Sequence, residues 1–527
     1  MKNNKIRIVI FGVLALLILF YSCTEDFSTL NTDPNNPTDV PAINILVHAI
    51  WAGIDRELGA GWMTHTYLGP WSQIMAKIQY IDEGRYVFRP TNINQFWNFT
   101  YQSELKDLQI VINKAQDQGF ASLEAAARIM KVYFFQRTTD LWGDVPYSEA
   151  LSGDTDNELT PTYDSQQSIY MDLISELKAC DAILADSDEG QLAKGDVIYG
   201  GDVDGWRMFA NSLLLRIYMR MSGADAATAQ AGIEDVYADG NYIQSNAYNV
   251  TLAIDGTKPY RNGLMETLET RTDQGSSKTM IDILNDRDDP RLPIYAQDID
   301  DDYGKGQYDG PDNVFVGQIN GDCGSGPDQS TISLLGVPIA YDVDRPYQLL
   351  SYAEVCFIFA EAALKGWDVG QSAQTWYEEG ITASMQQWSA LAQASPMASY
   401  AADAAEITQA EIDAYLKEDL VAWDDSKGEE LVLTQRWIAL MPNGVQAFCL
   451  VRRTGYPAVI ETYELPCTGY AGMGVPLRFP YPTDEETLNG TNLTQAKAGI
   501  TSSMYGKPVW WDTRTTKVDG SARLGVD

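Results

Sequence analysis

The chain has very few histidines: of its 527 residues, only His48 and His65 are histidine. Catalytic arrangements of the Ser-His-Asp or Cys-His type and histidine-rich metal sites all need an imidazole at a defined position. The sequence also lacks a G-x-S-x-G nucleophile elbow, a phosphate-binding P-loop and an H-E-x-x-H zinc motif. These absences argue against most hydrolytic and nucleotide-dependent chemistry. We expect both histidines to be packing or capping residues.

The chain is also poor in basic residues, with 37 lysines and arginines against 73 aspartates and glutamates and a formal net charge of −36. Such a surface repels the phosphates of nucleic acids and the anionic head groups of lipids. Nucleic-acid binding and electrostatic attachment to a membrane are therefore not expected. A neutral or cationic ligand and divalent cations suit this charge better.

Beyond its leader the sequence has no apolar run of the roughly 20 residues that a membrane-spanning helix needs. The leader has a basic head over 2–7 and a mostly apolar run over 8–21, followed by a small residue and Cys23. This layout is typical of a bacterial lipoprotein signal peptide. We expect residues 1–22 to be removed, Cys23 to be acylated, and residues 23–41 to form a polar tether. An ordinary secretory signal or an uncleaved anchor is the alternative.

Six cysteines are present, and acylation of Cys23 would leave an odd number, so at least one of the others is unpaired. Cys180 and Cys356 lie in helical apolar patterns and are expected to be buried as small hydrophobic residues. Cys323 and Cys467 lie in loops rich in glycine and proline. They are candidates to pair with each other in an oxidising compartment.

Apolar residues recur at helical spacing through most of the chain after residue 41. One stripe runs from Leu123 through Met130 to Phe134, and another begins at Tyr352. Consecutive helical segments are separated by short turns, and their spacing loosely matches tetratricopeptide repeats. Strand-like alternation is scarce. The segments expected to be helical are 42–68, 93–116, 121–138, 164–185, 203–222, 226–239, 346–366, 370–392, 407–418 and 429–441.

Three long stretches, 69–92, 241–345 and 442–527, lack this period, and loops of such length in a compact domain are usually functional. The expected fold class is mostly α, a tetratricopeptide-like scaffold of helical pairs whose long irregular loops form one face. We expect residues 42–527 to make a single domain.

An acidic stretch over 298–313 resembles a calcium-binding loop in its spacing. Asp298, Asp300 and Asp302 occupy positions 1, 3 and 5 of such a loop, and Asp309 occupies position 12. The glycine falls one position late, position 12 is not glutamate, and no helix obviously leads in. A weak extracellular calcium site and a solvated acidic loop are therefore the two interpretations.

Five segments spread between residues 138 and 512 carry a recognisable pattern: TTDLWGDVPYSEAL (138–151), SYAEVCFIFAEAALKG (351–366), QRWIALMPNGVQAFCLVRRTGYP (435–457), LRFPYPTDEETLN (477–489) and YGKPVWWD (505–512). Together, in this order, they resemble the SusD/RagB family, and most of all its branch of SusD-like nutrient-binding outer-membrane lipoproteins. The lipoprotein leader agrees with this resemblance.

The resemblance implies a helical, tetratricopeptide-based lipoprotein on the outer membrane that faces the exterior. Such proteins sit as lids on a SusC-like TonB-dependent transporter and capture glycans or peptides for import. Glu25 and Asp26 resemble the acidic signal that sends such lipoproteins to the outer face. The membrane is then contacted through the lipid alone. No catalysis and no required cofactor are expected, with calcium as the one candidate metal.

Two other functions stay open from the residues. A cell-surface glycoside hydrolase needs only two carboxylates, and 73 acidic residues always offer a pair. A structural or adhesive surface protein would bind no small ligand at all. Turnover of a glycan would identify the first of these, and the absence of any ligand the second.

The resembling segments also suggest structural contacts. Arg452 and Arg453 have planar guanidinium groups that suit carboxylates, and Glu354 and Glu361 on one helix are plausible partners. The tryptophan pair at 510–511 is expected to pin the last segment onto the body. For these residues a structural role is the first interpretation.

Carbohydrate binding needs aromatic side chains that are exposed yet held rigidly, and loops supply such positions better than helix stripes do. Two loops have a suitable composition, 69–92 and 295–312, and they would form a shared platform if both reach one face. The alternative is that each of these rings is simply buried. The candidate ligand-binding residues are Trp71, Gln73, Tyr80 and Tyr86 in the first loop and Tyr303 and Tyr308 in the second.

Overall fold

Most of the chain is helical, and consecutive helices pack against one another as the tetratricopeptide-like spacing predicts. The computed structural model describes residues 40–59, 63–153, 158–257, 260–268, 271–299, 314–323, 326, 328–395, 406–462 and 473–526. Within these ranges no helix has the length and apolar character needed to cross a membrane.

The helices of seven or more residues define the scaffold. Helix α3 packs on α4, α4 on α5, α5 on α6, and α6 on α7, while α9 packs on α10. These helices are α1 (Ala42–Leu58), α2 (Pro90–Phe99), α3 (Leu105–Gln118), α4 (Ala121–Trp142), α5 (Gln166–Ala185), α6 (Val203–Met221), α7 (Ala226–Asp239), α8 (Lys278–Asn285), α9 (Tyr352–Leu364), α10 (Ala373–Ala394), α11 (Gln409–Tyr415), α12 (Gly428–Ala439), α13 (Gly444–Thr454) and α14 (Gly490–Ala496).

Shorter elements connect this scaffold. Two-stranded antiparallel ladders join β1 to β5, β2 to β3 and β4 to β6. The strands are β1 (Ala76–Lys77), β2 (Val145–Pro146), β3 (Tyr163–Asp164), β4 (Val250–Leu252), β5 (Gln274–Gly275) and β6 (Tyr347–Leu350). The short helical segments are Met63–Leu68, Gly69–Trp71, Glu83–Arg85, Thr100–Glu104, Leu192–Lys194, Asn246–Tyr248, Gly263–Leu268, Leu292–Tyr295, Gln329–Thr331, Val337–Ala340, Asp425–Lys427, Ala458–Thr462 and Thr483–Leu488.

Capping side chains explain where several helices begin. The Ser165 hydroxyl accepts from the backbone N–H of Ser168 at the start of α5, and Ser372 does the same for Thr375 at α10. Thr408 and Glu411 form a reciprocal capping box at α11. At the other end, Gly119 closes α3 in the left-handed conformation, with a φ of 70°.

Several predicted boundaries differ from the structure, for example the helix predicted over 42–68, which ends at Leu58, and two of the differences have a clear local cause. Residues 347–350 form β6 and not the first turn of a helix, because Ser351 caps α9 and so starts it after the strand. The stretch from 442 was expected to be irregular, but α13 begins at Gly444. There Asn443 accepts from the N–H of Gln446, so the turn that breaks α12 also caps the next helix.

The main core is a large cluster of buried apolar side chains that runs from Ala42 to Trp511, and a small second cluster consists of Ile78, Ile332 and Leu334. Trp511 is fully buried, which fits the expected pinning of the last segment. Cys180, Cys356 and Cys449 are buried and free, as expected for the first two. Cys323 takes part in a disulfide. Cys467 lies outside the described residues, so the pairing of these two cysteines stays a prediction.

Buried ion pairs cross this core. Arg453 holds Glu361 with two hydrogen bonds of 2.6 Å each, as predicted. Arg216, and not Arg452, holds Glu354. Arg452 instead donates to backbone carbonyl oxygens, so its expected carboxylate partner is wrong.

The two histidines have non-catalytic surroundings. His65 is buried and its Nε2 donates to the carbonyl of Leu58 at 2.9 Å, and burial lowers its pKa to about 4. It is the packing residue that was predicted. The His48 ring is mostly exposed and lies 2.9 Å from a carboxylate oxygen of Asp107.

Candidate functional site

The irregular segments 69–92 and 271–335 meet in one layer, which we call the loop face and define as residues 76–89, 271–277 and 316–322. Backbone hydrogen bonds hold this layer together. Ile78 donates to Asp273 at 2.9 Å, and Gln318 donates to Ser276 at 2.8 Å. The Arg85 guanidinium fastens the outer edge through a 2.6 Å bond to the carbonyl of Asp322.

The described start of the second predicted loop lies beside this layer. Gln297 donates to the carbonyl of Leu334, and Ile299 donates to the carbonyl of Val314, each at 3.0 Å. These bonds place the start of the loop next to the segment that leads into residues 316–322, and the shared platform stays a prediction. Its candidate ligand-binding residues, Tyr303 and Tyr308, lie outside the described residues.

The predicted calcium ligands lie almost entirely outside the described residues as well. Asp300, Asp302 and Asp309 are in that undescribed stretch, and Asp298 is the one member that the structure places. Among the residues that are placed, no cluster of three or more His, Cys, Asp or Glu side chains has a metal-binding arrangement. The calcium site therefore stays a prediction.

Three of the four candidates in the first loop are buried, so the expectation that they are exposed is wrong. Trp71 has 0% exposure and donates from Nε1 to the carbonyl of Glu83 at 2.8 Å. Its ring meets the rings of Tyr86, Phe448 and Phe479 edge-on. The aromatic residues of this loop turn inward because they find apolar partners there, and they hold the loop on the body.

Gln73 is buried for a different reason. Its side-chain carbonyl oxygen accepts a hydrogen bond from the hydroxyl of Thr279, at the start of α8. A buried amide needs such a partner, since an unpaired one is destabilising. Gln73 therefore ties the first loop to the segment that carries β5 and α8.

Tyr80 is the candidate that reaches solvent. It is 58% exposed, and the guanidinium carbon of Arg271 lies 4.4 Å from the centre of its ring. Arg271 is in turn fixed by Asp273, with its Nε 2.5 Å from Oδ1. A rigidly backed aromatic ring beside a guanidinium can stack on the apolar face of a sugar and donate to its hydroxyl groups.

Buried charges support this pair from below. Lys77 and Asp273 are both buried, with Nζ 3.6 Å from Oδ2, and burial lowers the pKa of Lys77. Asp273 thus faces Lys77 on the inside and Arg271 on the outside. This double contact fixes Arg271 in place under Tyr80.

The first loop also stores backbone strain. In the described part of the chain five non-glycine residues have positive φ, and Gln73, Tyr80 and Tyr86 are three of them. Such residues persist only where surrounding contacts hold them, and they cluster at functional sites. The strain marks the same loop that composition had singled out.

A second concave surface was missed by the sequence reasoning. The helical groove lies between α4 and α5 and has a volume of about 480 Å³, which is in the usual range for ligand pockets. Tyr147 donates to Asp172 across it at 2.5 Å, and its ring meets Phe135 edge-on. The sequence did contain a signal for this groove: Lys131 and Phe135 are four residues apart on one helix, and Asp172 and Glu176 are four residues apart on the next. The groove is defined by Lys131, Phe135, Tyr147, Asp164, Asp172 and Glu176.

Comparisons with known proteins agree with this architecture. Three solved structures are similar to the chain. A chitin-binding protein is 27% identical over 90% of this chain and 100% of its own, with a TM-score of 0.75. A chitin-binding SusD homologue from Flavobacterium johnsoniae is 23% identical over 89% and 99%, with a TM-score of 0.73. A SusD-like protein from Bacteroides thetaiotaomicron is 24% identical over 91% and 100%, with a TM-score of 0.72.

No curated protein sequence is significantly similar to the chain. The Flavobacterium johnsoniae and Bacteroides thetaiotaomicron structures are less than 25% identical to the chain, so their similarity establishes the fold alone. A SusD-like family model described as "Starch-binding associating with outer membrane" matches residues 34–482. Because this match extends over most of the sequence, the chain belongs to the SusD-like family.

Proposed function

We propose that this protein is a lipid-anchored receptor on the outer face of the outer membrane that binds an oligosaccharide and delivers it to a SusC-like TonB-dependent transporter. The observation that carries the binding role is the exposed Tyr80 ring backed by Arg271. Family membership and the lipoprotein leader support the location. No bond is broken in this function.

Chitin oligosaccharides are the first ligands to test. The relative that shares 27% of its residues with this chain is named as a chitin-binding protein. N-acetylglucosamine units are neutral, so the net charge of −36 does not repel them. Each unit has an apolar ring face for Tyr80 and hydroxyl or amide groups for Arg271 and its neighbours.

The loop face suits capture because it is fixed before the ligand arrives. Trp71 and Gln73 hold the loop from inside, and Asp273 fixes Arg271. A preorganised surface loses little conformational entropy on binding, so weak stacking contacts still give useful affinity. Delivery then needs only movement of the whole body relative to the transporter.

The test is calorimetric titration of the soluble domain with chitin oligosaccharides of increasing length. Loss of a stacked ring removes about 0.5–1.5 kcal/mol, so Tyr80→Ala should weaken binding by about 2- to 12-fold. Tyr260→Ala is the matched control, since Tyr260 is also an exposed tyrosine, 44% exposed, and packs on Trp51 instead. It should bind as the wild type does.

Other outcomes decide between the alternatives. If Tyr80→Ala binds normally while Lys131→Met binds weakly, the ligand occupies the helical groove. If the wild type binds none of these glycans, chitin is wrong, and a glycan and peptide array becomes the source of candidates. Shortened products found by chromatography would show a glycoside hydrolase. No ligand in the whole array would favour a structural or adhesive protein.

A further inference from the structure

A small pocket walled mostly by buried residues lies between the start of α9 and the turn that follows α12. Its volume is about 20 Å³, which is room for one particle the size of a water molecule. Charged and polar side chains contribute to its wall together with apolar ones. The residues that matter here are Leu58, Arg345, Ser351, Glu354 and Asn443.

Arg345 is the unusual member of this wall. Arg345 is only 4% exposed, and its Nε donates to the carbonyl of Ile339 at 2.8 Å. Its Nη1 donates to the carbonyl of Pro346 at 3.4 Å, and its Nη2 has no hydrogen-bond partner among the residues that the structure places. A buried cationic donor without a partner is strongly unfavourable.

The opposite wall does not supply the missing negative charge. Glu354 already accepts two bonds from Arg216, at 2.9 and 2.7 Å, and one of 3.3 Å from Arg436. Nη1 of Arg216 and Nη1 of Arg436 still lack hydrogen bonds. The carboxylate of Glu354 is therefore more than neutralised by the two guanidinium groups that hold it.

The buried arginines and acids around this pocket also have an excess of positive charge. Arg436 lies 3.5 Å from Glu361, but that carboxylate is held by two bonds from Arg453. Arg345, Arg216, Arg436 and Arg453 give four positive charges, against three negative charges from Glu354, Glu361 and Asp342. This excess is buried in a protein whose surface is strongly acidic.

The titration behaviour of the cluster is consistent with incomplete compensation. Burial lowers the pKa of Arg436 to about 10, in spite of its two carboxylate neighbours. Burial also lowers the pKa of Arg345. Asp342 is a further acid whose charge acts on Arg345. Burial raises the pKa of Asp342 to about 6, so this carboxyl is still mostly ionised at neutral pH.

We propose that the cavity binds a small monovalent anion of the size of chloride, with Arg345 as its main ligand through Nη2. Such an ion would satisfy the orphaned donor and reduce the excess of buried positive charge at once. The narrow space of about 20 Å³ suits a monatomic anion better than a polyatomic one. The ion would also stabilise the junction of α1, α9 and the turn before α13, which are the elements that wall the cavity.

Diffraction with bromide in place of chloride tests the proposal on the intact folded domain. Bromide has an anomalous signal and a similar radius. We expect an anomalous peak within hydrogen-bonding distance of Arg345 Nη2, and no such peak in Arg345→Gln crystals. Ordinary density at this position without an anomalous signal would mean that water fills the cavity, and the proposal would then be wrong.

Thermal unfolding gives an independent readout that needs no variant. At constant ionic strength, sodium chloride and sodium bromide should raise the Tm by about 3 °C in a saturable way over sodium gluconate, whose anion is too large to enter. Arg345→Gln should show no such difference between the salts. Equal Tm values of the wild type in all three salts would overturn the proposal, whether or not the variant folds.

Discussion

Two aromatic residues of the same loop differ sharply in their exposure to solvent. Trp71 and Tyr80 are both large aromatics in an irregular stretch, yet Trp71 has 0% exposure and Tyr80 has 58%. Trp71 gains an internal partner for its indole N–H in the carbonyl of Glu83, and Tyr80 gains only the flank of Arg271. One residue therefore fixes the loop, and the other is presented by it.

This contrast predicts that the two substitutions separate stability from binding. Trp71→Ala should lower the free energy of unfolding by about 3–5 kcal/mol, because it leaves a cavity among packed rings. Tyr80→Ala should change it by less than about 0.5 kcal/mol. Denaturant unfolding followed by circular dichroism measures both. Equal losses for the two variants would contradict the assigned roles.

Composition could identify the loop but not the residue within it. Nothing local in the sequence distinguishes Tyr80 from Tyr86, since both are tyrosines in polar surroundings. The difference arises from the neighbours that the fold brings in: Tyr86 meets the buried ring of Trp71, and Tyr80 meets Arg271, which lies far away in sequence. Tertiary packing therefore decided which member of the predicted site is accessible, and it turned Trp71, Gln73 and Tyr86 inward.

A buried carboxylate gives a pH prediction at the same scale. Burial alone would raise the pKa of Glu361, but the Arg453 guanidinium outweighs burial and holds it at about 2, below the ordinary value of 4.5. A lowered pKa stabilises the folded state above the ordinary value, and this contribution is lost as the pH falls from about 4.5 towards 2. Glu361→Gln removes the titrating group and keeps the shape.

The measurement compares unfolding of wild type and Glu361→Gln between pH 6 and pH 3. We expect the variant to be less stable by about 3 kcal/mol at pH 6, because it leaves Arg453 without its charged partner. The difference should shrink steadily below pH 4.5. A difference that stays constant over this range would show that the ion pair is not the source of the stability.

At the scale of elements, most helices were predictable because their apolar stripes are long and their caps are local. The predicted segment 226–239 coincides with α7. The predictions were wrong where a short local feature, and not the helical period of the apolar residues, decided the structure. The predicted helix 429–441 corresponds to α12, which ends at Ala439, but α13 was missed, although Asn443 caps it and Gly444 begins it. Strand β6 was missed because four residues are too few to show alternation.

The cap of α13 can be tested directly. Asn443→Ala removes the side-chain oxygen that accepts from the N–H of Gln446 at 3.1 Å, and this should lower the free energy of unfolding by about 1 kcal/mol. Asn443→Asp keeps an equivalent acceptor and should retain most of the stability. If both substitutions have the same effect, capping does not explain the start of this helix.

The acidic stretch over 298–313 gives a prediction about calcium binding. If its aspartates bind calcium, millimolar calcium should raise the Tm of the wild type above its value in chelator, since extracellular sites of this type have a Kd of about 10⁻⁴–10⁻³ M. The combined Asp300→Ala and Asp302→Ala variant should melt at one temperature in both conditions. If the Tm of the wild type is the same with calcium and with chelator, the predicted calcium site is wrong.

At the scale of the whole molecule, the proposed function requires the loop face and the predicted lipid anchor to work together. The chain enters the described fold at Val40, whose carbonyl accepts from the Lys114 ammonium at 2.8 Å and so fixes the base of the predicted tether. The division into a leader, a tether and one domain over 42–527 stays a prediction, and it fits a main core that extends from Ala42 to Trp511. A protein held only by lipid and tether can move as a body while its loop face stays rigid.

The last prediction joins the anchor to the partner. Cys23→Ala should abolish labelling with radioactive palmitate and, in cells that lack the transporter, should release the protein from the membrane fraction. In cells that have it, mild detergent extraction and affinity purification of the wild type should recover a much larger barrel protein. The Tyr80→Ala variant is the control, because it should lose ligand affinity and still recover the barrel. Wild-type protein that purifies alone under these conditions would count against delivery to a transporter, even if calorimetry had shown that the loop face binds a glycan.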